Sequence, residues 1–254
     1  MQRLRRIKIV LVNTSHPGNI GAAARAMKTM SLTELILVSP RLFPHADATA
    51  RASGADDLLA SARVVNTLDE ALQGCQLVIG ASARLRRLGW PQLAPQQAAS
   101  RVVLEVEQGD VALVFGREDA GLSNDELERC HFLMHIDTNP DFSSLNLAAA
   151  VQLVCYEIRR QFSANLPLQR DHCAGDTEKD AEPYVNSEHM ALFYRHLEAV
   201  LMDIGFLDPH HPRKMMRRLK RLFNRSRLTL VEHNIMRGIL SGIEKFRKKS
   251  CNGQ

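Results

Sequence analysis

Six short apolar runs, alternating with stretches of helical character, recur through the first 163 residues, and this alternation restricts the fold more than any other feature of the chain. An apolar, β-branched run such as Ile7–Val12 (IKIVLV) has little polar surface to offer water, so it reads as a buried strand. Runs at 35–38, 64–65, 77–80, 111–115 and 133–136 read the same way. Between them, 20–30 (IGAAARAMKTM) is helical and rich in small residues, and 46–59 is Ala-rich and broken near Gly54. The stretch 68–72 reads as a helix ahead of Gly74, 124–129 as one that Ser123 can cap, and 145–162 as a long amphipathic helix. Strands that alternate with helices need crossover connections. The expected class is therefore α/β: a mainly parallel sheet with helices on both faces.

Residues 164–186 lose periodicity and gain Pro, Gly and charge, which marks a linker between a first domain at 1–163 and a small all-helical domain at 187–254. Helices are expected there near 187–204, 212–223 and 229–246. Charge separates the same two parts. From Ser187 onward there are 14 Lys and Arg against 6 Asp and Glu, a net of +8, and the remainder carries 19 against 22, a net of −3. A basic appendage on a near-neutral body suits a polyanion, nucleic acid first and an anionic membrane surface second. A solvated helical surface is the plainer alternative.

Other classes are disfavoured. No apolar run is long enough to span a bilayer. The N-terminal MQRLRRIKIVLVN leads straight into a polar loop and reads as a first strand, not a signal peptide. The five cysteines are scattered, and no Cys/His group has metal-ligand spacing, so a cytoplasmic, reduced, metal-free protein is expected. The loop after the first strand, HPGNIGAAAR, lacks the G-x-G-x-x-G of a dinucleotide fold, the second strand ends VSPR without an acidic residue, and there is no Walker lysine. A ligand of this sheet must be held by other means.

Three segments offer such means. In the first, Asn13-Thr-Ser-His-Pro-Gly-Asn19-Ile-Gly21-Ala-Ala-Ala-Arg25, a polar loop leaves a strand's carboxyl end, where open α/β sheets bind ligands. Asn19 and Arg25 are expected to face one crevice; a helix cap plus a surface arginine is the alternative. In the second, Val111–Leu122 (VALVFGREDAGL), Gly116 permits close backbone approach to a ligand and Glu118 can fix the loop, although an ordinary strand-to-loop turn reads alike. In the third, Ile136–Val151, a polar loop runs through Ser143-Ser144-Leu145-Asn146-Leu147 into an Ala-rich helix. Ser143 or Ser144 can cap that helix, and Asn146 inside a first turn needs a reason to be there.

In order and spacing the three segments resemble the signature motifs of the SPOUT superfamily, in its TrmH-like branch of ribose methyltransferases. VNTSHPGNIGAAARAMKTM, ASARLRRLGWP and the basic helical extension are similar to TrmJ-type tRNA 2′-O-methyltransferases. The resemblance covers residues 1–163 and implies a trefoil knot in the C-terminal part of the domain, homodimerisation that places two chains around each reaction centre, and the cofactor S-adenosylmethionine (SAM). It implies Arg25 as the central catalytic residue, with Ser144, Asn146, Asn19 and Glu118 supporting it. The cofactor is expected among Ala81, Ser82, Ala83, Arg84, Gly116, Arg117, Glu118, Ile136, Thr138, Ser144, Leu145 and Asn146.

For RNA, Arg25 is joined by Arg84, Arg86 and Arg87, which also read as a charged loop, and by Arg217, Arg218, Lys220 and Arg221 in HHPRKMMRRLKRLFNRSR. In that last run Met215, Leu219 and Leu222 are expected to form the inward stripe. The substrate that the resemblance implies is tRNA, at the pyrimidine of position 32 in the anticodon loop. A ribose methyltransferase of ribosomal RNA, or an RNA-binding protein that keeps only the fold, are the alternatives. No membrane or metal partner is expected.

Overall fold

The computed structural model describes residues 3–82, 90–164, 183–207 and 212–251. The chain forms two compact units, 1–174 and 175–254. In the first the order is β1 (Ile7–Val12), α1 (Pro17–Thr29), β2 (Glu34–Val38), α2 (Ala46–Ala52), α3 (Asp56–Ser61), β3 (Arg63–Val65), α4 (Leu68–Ala71) and β4 (Cys75–Ala81). There follow β5 (Gln92–Leu93), α5 (Pro95–Glu105), β6 (Asp110–Phe115), α6 (Asn124–Leu127), β7 (Phe132–Met134) and α7 (Leu147–Ala164). All seven strands run parallel in one sheet, ordered β3-β2-β1-β6-β4-β7-β5.

The alternation of side chains along β1 explains why helices cover both faces. Ile7, Ile9 and Leu11 pack on one side with Ile20 and Met27 of α1, Val102 of α5 and Val151 of α7. Val10 and Val12 pack on the other with Leu68 of α4, Leu127 of α6 and Trp90. Each such side chain contributes on the order of 1.5–3 kcal/mol by leaving water. Lys8 lies on the second face's margin, where its ammonium reaches Asp110 at 3.0 Å and the Gln73 carbonyl at 3.2 Å.

Two expectations change. The sheet has a seventh strand, β5, and the sequence reading missed α5, although Pro95 at its first position and the Gln97 side chain accepting from Ala94 N at 2.9 Å are ordinary start signals. The Ala-rich segment breaks where expected, into α2 and α3, at Ser53 and Gly54, both at positive φ. Helix α7 begins at Leu147, two residues later than expected, and this changes the meaning of Asn146.

The second unit holds α8 (Ser187–Asp203), α9 (Pro212–Ser226) and α10 (Leu230–Cys251) around Val185, Met190, Phe193, Leu197, Val200 and Leu240. Phe193 and Phe223 meet edge to face at 5.0 Å. The inward stripe of α9 keeps the expected Leu219 but takes Met216 and Phe223 in place of Met215 and Leu222. Met216 is buried, and Leu219 and Phe223 pack on the core, whereas Met215 and Leu222 are 38% and 48% exposed.

Candidate active site at the carboxyl edge of the sheet

Because every strand points the same way, the loops after β1, β4, β6 and β7 emerge at one edge. The loop after β6 is the tightest. Arg117 and Gly121 pair antiparallel, Gly121 N donating to Arg117 O at 2.9 Å and Arg117 N to Gly121 O at 3.2 Å. Gly121 turns the chain at φ 66°. A Cβ on Gly116 would stand 2.2 Å from the Gly121 carbonyl carbon. The close approach expected at Gly116 is therefore the loop's approach to itself, since the backbone folds back across it.

Two side chains of this turn lock it to the loop after β1. Glu118 accepts from Ser15 N (3.0 Å), Ser15 Oγ (2.9 Å), His16 N (3.2 Å) and Asn19 Nδ2 (2.9 Å). Partial burial alone would raise its pKa, but the hydrogen bonds from the Ser15 backbone, the Asn19 amide and the His16 backbone outweigh it and hold the carboxyl down to about 2. Arg117 forms a two-pronged pair with Glu126 at 3.0 and 3.1 Å. With the Asn13 amide turned so that both its ends are satisfied, Arg117 Nη2 also donates to Asn13 Oδ1 at 2.6 Å, and Asn13 Nδ2 donates to Ser39 O at 3.2 Å. Glu126 belongs to a capping box with Ser123, so α6 anchors the arginine.

The third segment enters through Asn146. Its Oδ1 accepts from Ala148 N (3.0 Å) and Ala149 N (3.3 Å), and its Nδ2 donates to Asn19 Oδ1 at 3.0 Å. Asn146 is thus itself the cap of α7, a task the sequence reading gave to Ser143 or Ser144. A continuous network, Ser15–Glu118–Asn19–Asn146, joins the three segments.

Beside this network a pocket of about 290 Å³ opens, at the lower end of the range that small-molecule sites occupy. Of the expected cofactor residues, Ala81, Ser82, Gly116, Arg117, Glu118, Ile136, Ser144 and Leu145 line it, with Phe115, Leu122, Met134 and Leu147 supplying apolar walls that the sequence reading did not name. Phe115, Met134 and Leu147 lie in apolar runs, where residue type cannot separate a pocket wall from core, and Leu122 is a lone apolar residue between Gly121 and Ser123. Ser82 N donates to Met134 O at 2.9 Å, which ties the exits of β4 and β7 together. Thr138 is not in the lining; its hydroxyl donates to Ser143 O at 3.3 Å and braces the loop. Asn146 sits outside the lining as well, in the network just described. Arg117 lines the pocket while its guanidinium is paired with Glu126. Ala83, Arg84, Arg86 and Arg87 lie outside the described residues.

Arg25 does not share the crevice of Asn19 within the chain. Six residues separate it from Asn19, which on an α-helix turns the two about 120° apart. Asn19 faces Glu118 and Asn146, while Arg25 lines a different depression with Ala22, Thr29, Arg51 and Gln152. Within one protomer the structure brings Asn19, Glu118 and Asn146 together beside a pocket that contains Ser144, and it does not bring Arg25 there. In the second unit Arg217 and Arg218 are exposed, and Arg221 is half-buried. Lys220 is half-buried too, its ammonium 6.0 Å from the centre of the Tyr194 ring, so it lies less far off the inward stripe than expected.

The comparisons agree with this architecture. Residues 6–156 match the SpoU rRNA Methylase family, and residues 188–253 match the C-terminal domain of the tRNA methyltransferase TrmJ. The tRNA (cytidine/uridine/adenosine-2′-O-)-methyltransferase TrmJ of Pseudomonas aeruginosa is 54% identical over 248 residues, 96% of each chain. The chain belongs to the TrmJ family of SpoU methylases. A second TrmJ relative, the tRNA (cytidine/uridine-2′-O-)-methyltransferase of Photorhabdus laumondii, is 50% identical over 246 residues, 97% of this chain and all of the relative. The crystal structure of TrmJ from Z. mobilis ZM4 superposes with a TM-score of 0.80 at 36% identity, covering 93% of this chain and 98% of that one. In this TrmJ family member, no group of three or more potential metal-ligating side chains occurs among the described residues, nor any helix long and apolar enough to cross a membrane.

Proposed function

We propose that this chain methylates a ribose 2′-hydroxyl of tRNA, taking the methyl group from SAM, and that its target is the pyrimidine nucleotide at position 32 of the anticodon loop. The activity is the one for which the P. aeruginosa and P. laumondii relatives are named. The observation that carries the reading is the pocket at the carboxyl edge with the Glu118–Asn19–Asn146 network along its side. Its apolar walls, Phe115, Leu122, Met134 and Ile136, fit an adenine ring, and the loop backbones of Ser82, Gly116 and Leu145 offer polar edges. Asp119, exposed in the lining, suits a cofactor that carries a sulfonium and an ammonium. When bound there, SAM supplies an electrophilic methyl on a neutral leaving group.

The protein's own work concerns the nucleophile. A ribose hydroxyl attacks well only if its oxygen is aligned and its proton managed. Ser144 and Asn146 position the ribose, Asn19 and Glu118 hold Asn146 in place, and Arg25 anchors phosphate and stabilises charge developing on the oxygen. Arg25 is not a base, because a guanidinium stays protonated in proteins. The proton leaves to phosphate or water.

The separation of Arg25 from the pocket within one protomer supports a homodimer in which one chain's Arg25 completes its partner's site. The face of α7 beside Gln152 presents apolar side chains that a second copy could cover: Leu153 is 44% exposed and Tyr156 50%. Phosphate contacts by Arg217, Arg218, Lys220 and Arg221 of the basic α9, and by the Arg84, Arg86 and Arg87 run, add affinity without reading sequence. Such an enzyme works in the cytoplasm, where tRNA is. The test is mass spectrometry of tRNA nucleosides from a deletion strain. One 2′-O-methylated nucleoside should disappear, return with the wild-type gene and stay absent with Arg25→Ala. An unchanged nucleoside profile in the deletion strain would overturn the proposal.

A further inference from the structure

The arginines of the first unit divide into two groups. Arg3, Arg6, Arg101, Arg117, Arg129 and Arg160 each pair with a carboxylate. Arg5, Arg25, Arg41, Arg51, Arg63 and Arg159 pair with none among the described residues, and of these Arg25 and Arg51 lie together. Yet these two share one open depression of about 420 Å³, with Ser53 and Gln152 as neutral polar neighbours and Ala22 and Ala26 as its floor.

Their proximity follows from the packing beneath them. Helices α1 and α2 cross so closely that a Cβ on Gly21 would stand 1.9 Å from the Ala48 carbonyl oxygen. The contact is made of Gly21, Ala48 and Ala52, all buried, so the long side chains at its margin emerge side by side. The sequence of α1, PGNIGAAARAMKT, contains no acidic residue. The one acidic residue of α2, Asp47, lies beside His45 at the other end of its helix, and Lys28 is paired with Asp57. Arg51 also reaches back along α1: its Cδ lies 2.9 Å from where a Gly18 Cβ would be, one residue before Asn19 of the catalytic network. From Gly18 to Arg25 the helix advances about 10 Å. Two guanidiniums spread over that length, with no carboxylate paired to either among the described residues, form a fork for the anionic oxygens of a nucleic-acid backbone.

We propose that Arg51 is a phosphate-binding residue, and that Arg25 and Arg51 together form a site for RNA phosphodiester. The site rests on the reading above for its ligand. It assigns to Arg51 the role of holding the substrate strand against α1 while Arg25 engages the reacting nucleotide.

The full chain is used for the test. Arg51→Met keeps an unbranched stem over Gly18 and removes the charge, and Arg51→Lys keeps the charge without the fork. Binding of unmodified tRNA is followed by filter retention between about 50 and 200 mM salt, with melting temperature and SAM affinity measured alongside. Arg51→Met should weaken tRNA binding about tenfold and lower the slope of log K against log salt by about one, with melting and SAM affinity unchanged. Arg51→Lys should restore the slope and only part of the affinity. If Arg51→Met binds tRNA with wild-type affinity and slope while the wild type methylates tRNA, the phosphate site is wrong and the proposed function stands. If the wild type methylates no tRNA but Arg51→Met still flattens the salt dependence, the phosphate site stands and the function falls. Should Arg51→Met melt early, Arg51→Gln is read in its place: a slope lowered by about one supports the site, and a wild-type slope refutes it.

Discussion

A carboxylate that accepts four hydrogen bonds cannot take up a proton without giving some of them back. Glu118 is in that position, with its pKa held to about 2 in the folded chain against an ordinary 4.5. As pH falls below about 4.5 the unfolded chain takes up this proton first, so the stability Glu118 contributes is fully present above that pH and is lost on the way down to about 2. Replacing it with Gln, which cannot titrate, should flatten that part of the stability curve, read as melting temperature against pH for the two proteins. Equal slopes from pH 4.5 to 2 would show that the carboxylate is not the titrating group. Sequence alone identified Glu118 as a loop organiser but gave no hint that the loop it holds is the one after β1, because a hydrogen bond across about 100 residues leaves no local pattern. Asn146 was half legible. A mediocre helix former at a helix start needs a reason, and capping is that reason; its grip on Asn19 was not predictable.

Among the elements, buried strands were the easiest to read, since β1, β4 and β6 are nearly unbroken apolar runs that no exposed element could tolerate. Strand β5, two residues long, carries no periodicity at all and exists through its pairing with β7. The phase of α9 was misjudged because Met215 and Met216 are adjacent and equally apolar, and only the tertiary partner, Phe193 with Phe223 against it, selects the buried one. The small residues of α1 were legible as close packing, though not the partner. Because Ala48 occupies the space, Gly21→Ala should force α1 and α2 apart and cost about 1–3 kcal/mol. A fall in the urea midpoint with unchanged m-value checks this. A neutral result would mean that the helices separate freely, and the shared depression of Arg25 and Arg51 would lose its structural basis.

For the molecule as a whole, the net positive charge is concentrated from Ser187 onward, and the two family matches cover residues 6–156 and 188–253. The six-residue spacing already turns Arg25 about 120° from Asn19 on a helix, but which of the two faces meets the pocket depends on the neighbouring loops and was not legible in sequence. If a second copy completes the site, introducing Glu at both Leu153 and Tyr156 should halve the sedimenting mass and abolish methyl transfer while leaving the fold's circular dichroism intact. Sedimentation at the monomer mass by the wild type itself would exclude that arrangement. The common direction of all seven strands has a practical side too. Turns such as the exposed Gln73–Gly74 connection, leading into β4, stand at the opposite rim from every loop of the pocket and its network. A dye or a surface tether fixed at Gln73 would leave the working rim facing bulk solution, so immobilised protein can report ligand capture without the anchor obstructing it.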